Sequence, residues 1–180
     1  EMEIIDAGNS KNGQIASVVF EPKEINIEYF GYNIPNNILR SELLGWLKKN
    51  KNFVFNIGDS IVDHYAFDDN ILVKTANGKK LEGELLISCE GKDSPIRKRE
   101  KINTIQASYN QLAMVFQVSH SKKHKDRTTE ILDVGGPFTI IPLRTSTNQL
   151  RSTVVWIDNC DKVNEAYSLD NKQFQSIISK

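Results

Sequence analysis

The residues best suited to chemistry lie between positions 89 and 97, where the sequence reads Cys-Glu-Gly-Lys-Asp-Ser-Pro-Ile-Arg. Glu90 and Gly91 follow an apolar run, and Ser94 and Arg97 come after the glycine at intervals of three. A glycine at such a junction lets the backbone approach a ligand, and a guanidinium offers several donors to anionic oxygens. The pattern is suited to a phosphate or a ribose, although the basic composition after position 97 alone favours a solvated turn.

Two other groups of titratable residues favour structural interpretations. His120 and His124 have the spacing of metal ligands on a helix, but three lysines crowd them, which favours a solvated basic loop. Asp63 and His64 are adjacent, and adjacent residues on a strand point to opposite faces, so a catalytic dyad is not expected. The sequence therefore predicts no metal site and no side-chain nucleophile.

The cysteines and glycines exclude further kinds of site. Cys89 and Cys160 are too few and too far apart for a disulfide framework or a zinc site, so we expect two thiols. Cys89 follows an apolar run, which favours a thiol in the core. The ten glycines form neither G-x-G-x-x-G nor G-x-x-x-x-G-K-[ST], so the chain has no phosphate-binding loop of either type.

The composition predicts a folded, soluble chain. It has 23 Lys plus Arg, 23 Asp plus Glu and 39% apolar residues, and its zero net charge argues against a nucleic-acid partner. No apolar run approaches the roughly 20 residues that cross a bilayer, and no signal-peptide pattern is present, so a reducing cytoplasm is the expected location. Because the chain opens at Glu1 and ends inside a predicted helix, we expect it to be part of something longer.

The elements that must position these residues begin with strands around one helix. Apolar patterns predict strands over residues 14–20, 24–30, 53–57 and 61–67, with a turn at 21–23 between the first two. An N-cap at 35–37 precedes apolar side chains at helical spacing, which predicts an amphipathic helix over 38–49. Its apolar side chains are Leu39, Leu43, Trp46 and Leu47.

A hairpin leads into the 89–97 segment. Asn77-Gly78 predicts a type I′ turn between strands at 71–76 and 79–88. The second strand ends in three consecutive apolar residues at 85–87, which is typical of a strand buried on both faces.

The second half of the chain predicts one antiparallel sheet and a final helix. Strands are expected from Gln111 over 112–118, and over 129–134, 138–143 and 150–157. Asp170 and Gln173 have the spacing of a capping box at the start of the last helix. The order of the elements predicts an α+β or mixed α/β fold.

The 89–97 segment resembles the A-D-G-x-x-S-x-x-R motif of flavin-dependent aromatic hydroxylases. The resemblance continues in order and spacing over nearly all 180 residues, and it is strongest to the ubiquinone-biosynthesis branch, of the 2-octaprenyl-6-methoxyphenol hydroxylase type. The other segments that carry it are 36–44, 109–113, 136–137, 141–143 and 152–156, together with His124 and Glu130.

The resemblance implies the central portion of a longer enzyme, because the family's G-x-G-x-x-G unit and later Gly-Asp motif are absent from the chain. It implies an antiparallel-rich substrate-domain sheet with flanking helices, plus part of a p-hydroxybenzoate-hydroxylase-like FAD domain. Residues 36–99 would be the FAD-domain segment, and residues 1–35 and 100–180 the substrate-binding domain.

The resemblance also implies roles for individual residues. The cofactor-binding positions would be Arg40, near the FAD phosphates, and Glu90, Gly91 and Arg97. Glu90 stands where the family has aspartate. The substrate-pocket positions would be Gln111, Gly136, Pro137, Pro142 and Trp156. No catalytic side chain and no metal are implied, because reduced flavin and O2 form a flavin hydroperoxide that transfers the oxygen.

The implied activity is that of an FAD-dependent monooxygenase that uses NAD(P)H and O2 to hydroxylate a polyprenyl phenol in ubiquinone biosynthesis. The full-length protein would be the enzyme, whereas this chain alone is expected to be inactive and to self-associate through uncovered apolar surface. Expected partners are other quinone-biosynthesis proteins and, peripherally, the inner membrane. Two alternatives stay open: a flavin monooxygenase of a small soluble aromatic, and a non-catalytic β-rich ligand-binding or interaction module.

Overall fold

The computed structural model describes residues 1–8, 15–144 and 149–179. The chain divides into two compact units, of which unit 1 is Glu1–Ile38 with Ser108–Lys180 and unit 2 is Leu39–Ala107. The strands are β1 (Met2–Asp6), β2 (Ala16–Phe20), β3 (Ile61–Ala66), β4 (Ile71–Thr75), β5 (Lys80–Gly83), β6 (Gln111–Ser119), β7 (Thr128–Asp133), β8 (Gly136–Leu143) and β9 (Arg151–Asn159). The helices are α1 (Asn36–Leu47), α2 (Pro95–Arg99), α3 (Cys160–Tyr167) and α4 (Asn171–Ile178).

Unit 1 is built on a sheet whose order, within the described residues, is β2-β1-β7-β8-β9-β6. All neighbouring strands are antiparallel except β1 and β7, which are parallel. The predicted antiparallel arrangement of β6 to β9 is therefore confirmed. The α+β class is confirmed as well, with the sheet mixed at the β1 and β7 pair.

One face of this sheet forms the core of unit 1. Alternate residues of β9 are buried, because α3 packs against β6 and β9 on that face. Val163 and Ala166 are the buried residues of α3, and Phe174 of α4 meets Phe116 of β6 edge to face at 4.9 Å. The predicted capping box of Asp170 and Gln173 is present at the start of α4. The helix α3 has no counterpart among the predicted elements.

The predicted strand over 24–30 is wrong. Pro22–Ile25 forms a 3-10 turn, in which the Glu24 side chain accepts a hydrogen bond from the Glu21 backbone N–H at 3.4 Å. Asn26 follows with φ of 57°, which extended strands do not adopt. With no strand over 24–30, β2 pairs with β1, and Val18 lies opposite Ile4.

Unit 2 contains the antiparallel sheet β3-β4-β5 and most of α1. The predicted positions of β3, β4 and α1 are confirmed to within two residues, and β4 and β5 pair as the predicted hairpin. The predicted type I′ turn is wrong. Gly78 has φ of +79°, but Asn77 is not in the left-handed region that this turn requires at both positions. The Gly78 N–H instead donates to Thr75 O at 3.0 Å. Ala76 to Gly78 thus form a three-residue loop instead of a type I′ turn.

The strand predicted over 53–57 is absent from the described structure, and so is the second half, 84–88, of the hairpin strand predicted over 79–88. The second arm of the hairpin ends at Gly83, and Leu85 and Ile87 are 76% and 73% exposed, so burial on both faces is also wrong. A strand requires a neighbour to accept and donate its hydrogen bonds, and no described strand pairs with 84–88. Cys89, predicted in the core, is exposed, and both cysteines are free thiols.

Candidate functional site

Glu90 is the centre of a small hydrogen-bond network in unit 2. Its Oε2 accepts from Ser94 Oγ at 2.6 Å, from Ser88 Oγ at 3.0 Å and from the Ile96 backbone N–H at 3.1 Å. The bond from Ser94, with help from Ile96 and Ser88, holds the pKa of Glu90 below its usual value. Glu90 is therefore an ionised carboxylate that ties the segment after β5 to the start of α2.

The helix α2 begins at the residues that the sequence motif singles out. Ser94 is buried and caps the helix, accepting a hydrogen bond from the Arg97 N–H at 3.1 Å, and a proline follows at the first helical position. The Arg97 guanidinium turns back and donates to Gly91 O at 3.3 Å and to Lys92 O. Glu90, Gly91 and Arg97 are thus brought together in one turn, which we call the Glu90 turn (residues 88–97).

The Glu90 turn fits a ligand that carries hydroxyl and anionic groups. Gly91 has φ of +83°, and a Cβ built there meets no atom within 4 Å, so the backbone is open on that side. The Glu90 carboxylate is a hydrogen-bond acceptor for hydroxyl groups, and the Arg97 guanidinium supplies positive charge beside the glycine. Phosphate and ribose are the groups that the dinucleotide part of FAD presents.

Arg40, the remaining predicted cofactor residue, lies on α1 with an exposed side chain. Within the described residues it makes no hydrogen bond or ion pair with the Glu90 turn. The structure therefore assembles three of the four predicted cofactor positions.

Sequence reasoning missed the residues that hold the far end of α2. Asp63 on β3 bonds Arg99 at 2.6 Å, and the next residue, His64, bonds Glu100 at 2.7 Å. Both side chains thus join β3 to the end of α2. The available signal was charge complementarity between the consecutive residues Asp63 and His64 and the consecutive residues Arg99 and Glu100. Each bonded pair is separated by 36 positions in the sequence.

The predicted substrate-pocket residues separate into two groups along β8. At its start, Gln111 Nε2 donates to Gly135 O at 3.0 Å, and a Cβ on Gly136 would lie 2.5 Å from Ile157 O. Trp156 is buried and its Nε1 donates to Asp158 Oδ2 at 3.3 Å. Pro137, the next residue of β8, lies opposite Leu132.

Pro142, at the other end of β8, lines an open cleft of about 1490 Å³ in unit 1. Asn33 Nδ2 donates to Pro142 O at 3.4 Å, and the Tyr29 and Tyr32 rings lie 4.8 Å apart. Arg144 and Asp126 form an ion pair at 2.9 Å among the lining residues. The apolar and aromatic lining includes Phe20, Ile27, Tyr29, Phe30 and Tyr32. Three of these, Ile27, Tyr29 and Phe30, fall in the strand wrongly predicted over 24–30, so no pattern in the sequence indicated that they share a cleft.

The two histidines of the basic loop serve the fold of unit 1. His120 Nε2 lies 2.9 Å from Ser152 Oγ, and its Nδ1 lies 2.7 Å from Lys122 O. His124 Nδ1 accepts from the Asp126 N–H at 3.0 Å. Among the described residues no group of three or more metal-ligating side chains is found.

The fold of the chain resembles that of PqsL from P. aeruginosa over nearly its whole length. The structure of PqsL from P. aeruginosa in complex with 2-aminobenzoylacetate superposes with a TM-score of 0.69 at 16% sequence identity, over 92% of this chain and 43% of that one. A PqsL mutant gives the same TM-score, over 93% of this chain and 44% of that one, at 15% identity. No protein-family model matches the chain.

Curated relatives narrow the resemblance to ubiquinone hydroxylases. The 3-demethoxyubiquinol 3-hydroxylase of Escherichia coli is 23% identical over 167 residues, which are 93% of this chain and 42% of the relative. Ubiquinone hydroxylase UbiL of Rhodospirillum rubrum is 24% identical over 83% of this chain and 34% of its own length. The mitochondrial ubiquinone biosynthesis monooxygenase COQ6 of Danio rerio is 28% identical over 61% of this chain and 22% of its own length. The chain thus resembles part of a ubiquinone-biosynthesis hydroxylase, as its motifs indicated, and spans less than half of each relative.

Proposed function

We propose that this chain is the central portion of an FAD-dependent monooxygenase that hydroxylates a polyprenyl phenol in ubiquinone biosynthesis. The observation that carries the proposal is the match to a named ubiquinol hydroxylase over 93% of the chain. The Glu90 turn also supports it, because its residue types and its geometry suit the ribose and phosphate groups of FAD.

Residues 36–99 are assigned to the FAD domain in this proposal. Glu90 accepts from a ribose hydroxyl, Gly91 lets the backbone approach the cofactor, and Arg97 and Arg40 balance the phosphate charge. FAD, reduced by NAD(P)H, supplies the oxygen-activating chemistry when bound, so the protein needs no nucleophile of its own. The protein's task is to hold the cofactor and to exclude water from the reacting ring.

Residues 1–35 and 100–180 are assigned to the substrate domain. The aromatic and apolar lining of the cleft at Pro142 suits a lipid-tailed phenol better than a small charged aromatic. Gln111, Gly136, Pro137 and Trp156 shape the opposite end of β8. The charged side chains of the cleft are partly neutralised among themselves, as in the pair of Arg144 with Asp126, which leaves the aromatic wall as its main attraction for a ligand.

A polyprenyl substrate resides in a lipid bilayer, so the proposal includes peripheral contact of the full-length protein with the inner membrane from the cytoplasm, and contact with other quinone-biosynthesis proteins. Among the described residues, no helix is long and apolar enough to cross a membrane.

Flavin binding by the full-length protein tests the proposal. We expect a bound-flavin absorbance band in the visible range, and NADH or NADPH oxidation stimulated by a short-tailed prenyl phenol and not by hydroxybenzoate. Arg97→Gln should weaken FAD binding, while Lys98→Gln, which removes the same charge from an exposed neighbour, should not.

Each contrary result identifies what has failed. Stimulation by hydroxybenzoate alone would replace the substrate assignment with a small soluble aromatic. If the full-length protein bound no flavin, the enzyme assignment would fall and a β-rich binding module would take its place.

A further inference from the structure

His64 is an almost fully buried imidazole in unit 2, with 5% of its side chain exposed. Its Nε2 lies 2.7 Å from Glu100 Oε1, and within the described structure its buried Nδ1 has no hydrogen-bond partner. Because a carboxylate accepts and an unpaired buried N–H is costly, this pattern assigns the proton to Nε2. His64 is therefore a fixed donor aimed at Glu100.

Glu100 is the C-cap of α2, and the residue before it is held in the same way. Arg99 donates to Asp63 Oδ1 at 2.6 Å and to Val62 O at 2.5 Å. Consecutive residues of β3 thus hold consecutive residues at the end of α2. The helix has only five residues, and none of them is buried, so its own hydrogen bonds and packing are too few to fix its position. Its placement depends on these side-chain bonds.

The other end of α2 holds the Glu90 turn. Ser94 and the Ile96 N–H donate to Glu90, and Arg97 within the helix donates to Gly91 O. A displacement of α2 would therefore move all three residues assigned to FAD.

We propose that His64 is a positioning residue for the flavin site: its bond to Glu100 anchors α2 on β3 and thereby keeps the Glu90 turn in the conformation that binds FAD. This inference rests on the proposed function, since it takes FAD as the ligand of the turn. His64 does not touch the cofactor in this role.

The test is FAD binding to the full-length apoprotein, measured by flavin fluorescence titration for the wild type and four variants. His64→Leu removes the donor at similar volume, and we expect about tenfold weaker FAD binding. His64→Gln places a side-chain nitrogen near the position of Nε2 and should recover most of the affinity. Glu100→Ala removes the same bond from the other side. Because the Glu100 side chain is 54% exposed, this variant should fold and test the bond even if His64→Leu folds poorly.

Leu72→Ala is the matched control. Leu72 on β4 pairs with Tyr65, the residue after His64, so its side chain lies on the face of the sheet that His64 does not occupy. It should lower stability and leave FAD affinity unchanged. Amide exchange at Ile96 gives a readout without flavin: it should accelerate in His64→Leu and Glu100→Ala and not in Leu72→Ala.

Two results would overturn the positioning role alone: wild-type FAD affinity in both His64→Leu and Glu100→Ala, or equal weakening in Leu72→Ala. A wild-type full-length protein that binds no FAD would overturn the proposed function together with this inference.

Discussion

The Asp158 carboxylate, near the end of β9, accepts a hydrogen bond at 2.5 Å from Lys162 Nζ, in the first turn of α3. It also accepts from Trp156 Nε1 and from the Asn159 N–H at 2.8 Å. Burial raises the pKa of Asp158, but the bonds from Lys162, Asn159 and Trp156 outweigh it, and the net pKa lies below its usual value. One ionised carboxylate thus joins the last strand of the sheet to the helix that covers it.

Asp158→Asn should destabilise unit 1 by about 2 kcal/mol at neutral pH, because hydrogen bonds to a charged group are lost. The pKa of Asp158 is lower in the folded than in the unfolded chain, so its stabilisation is present above about pH 4 and is lost as pH falls through the folded value. Urea unfolding can be followed by tryptophan fluorescence at pH 7 and at pH 3. The free energy of unfolding should fall less between these two pH values in the variant than in the wild type. An equal effect of Asp161→Asn, on an exposed neighbour, would contradict this.

Gly136→Ala should destabilise the start of β8 by about 2 kcal/mol or more, because the new methyl group would meet a backbone carbonyl that has little room to move. The Cβ would lie 2.5 Å from Ile157 O, at φ of +144°. Gly31→Ala is the control, since nothing lies within 4 Å of its Cβ. Thermal unfolding should show a lower midpoint for the first variant only, and equal midpoints would argue against the close contact.

The Ile96 amide resonance should titrate with Glu90, because its N–H donates to that carboxylate. The midpoint should lie below about 4.3, the ordinary glutamate value, since the pKa of Glu90 is lowered. The bond is then complete above this midpoint and is lost as the pH falls through it. Ser94→Ala should raise the midpoint more than Ser88→Ala does. An unchanged midpoint in both variants would show that these hydroxyls do not stabilise the carboxylate.

This chain alone should self-associate. Four apolar side chains of α1 are exposed, namely Ile38, Leu39, Leu43 and Trp46, the last at 69%. Leu85 and Ile87 add further uncovered apolar surface in unit 2. Sedimentation velocity should show association that grows with concentration and is reduced by Trp46→Lys. Glu42→Gln, a polar change on the same helix, should leave it in place. A monomer at high concentration would refute the prediction.

Short-range signals in the sequence predicted most of the elements correctly. The capping box of Asp170 and Gln173 and the Asn77-Gly78 hairpin act over a few residues, so their position could be read directly. The strand over 24–30 failed because the Pro22 turn and the left-handed Asn26 outweigh its alternating pattern. The predicted strand over 79–88 ends early, at Gly83, for a different reason: residues 84–88 have no hydrogen-bonding neighbour among the described strands.

The amino-acid sequence by itself determined the β6 to β9 strands, the helices α1 and α4, and the motif that gathers Glu90, Gly91 and Arg97 into one turn. Only the tertiary structure decided that His64 anchors Glu100 and that Asn33 bonds Pro142 beside an aromatic cleft. Periodicity and capping depend on neighbours along the chain and leave a local pattern. A bond between residues 36 or 109 positions apart depends on how the whole chain closes, and no local pattern specifies its partner.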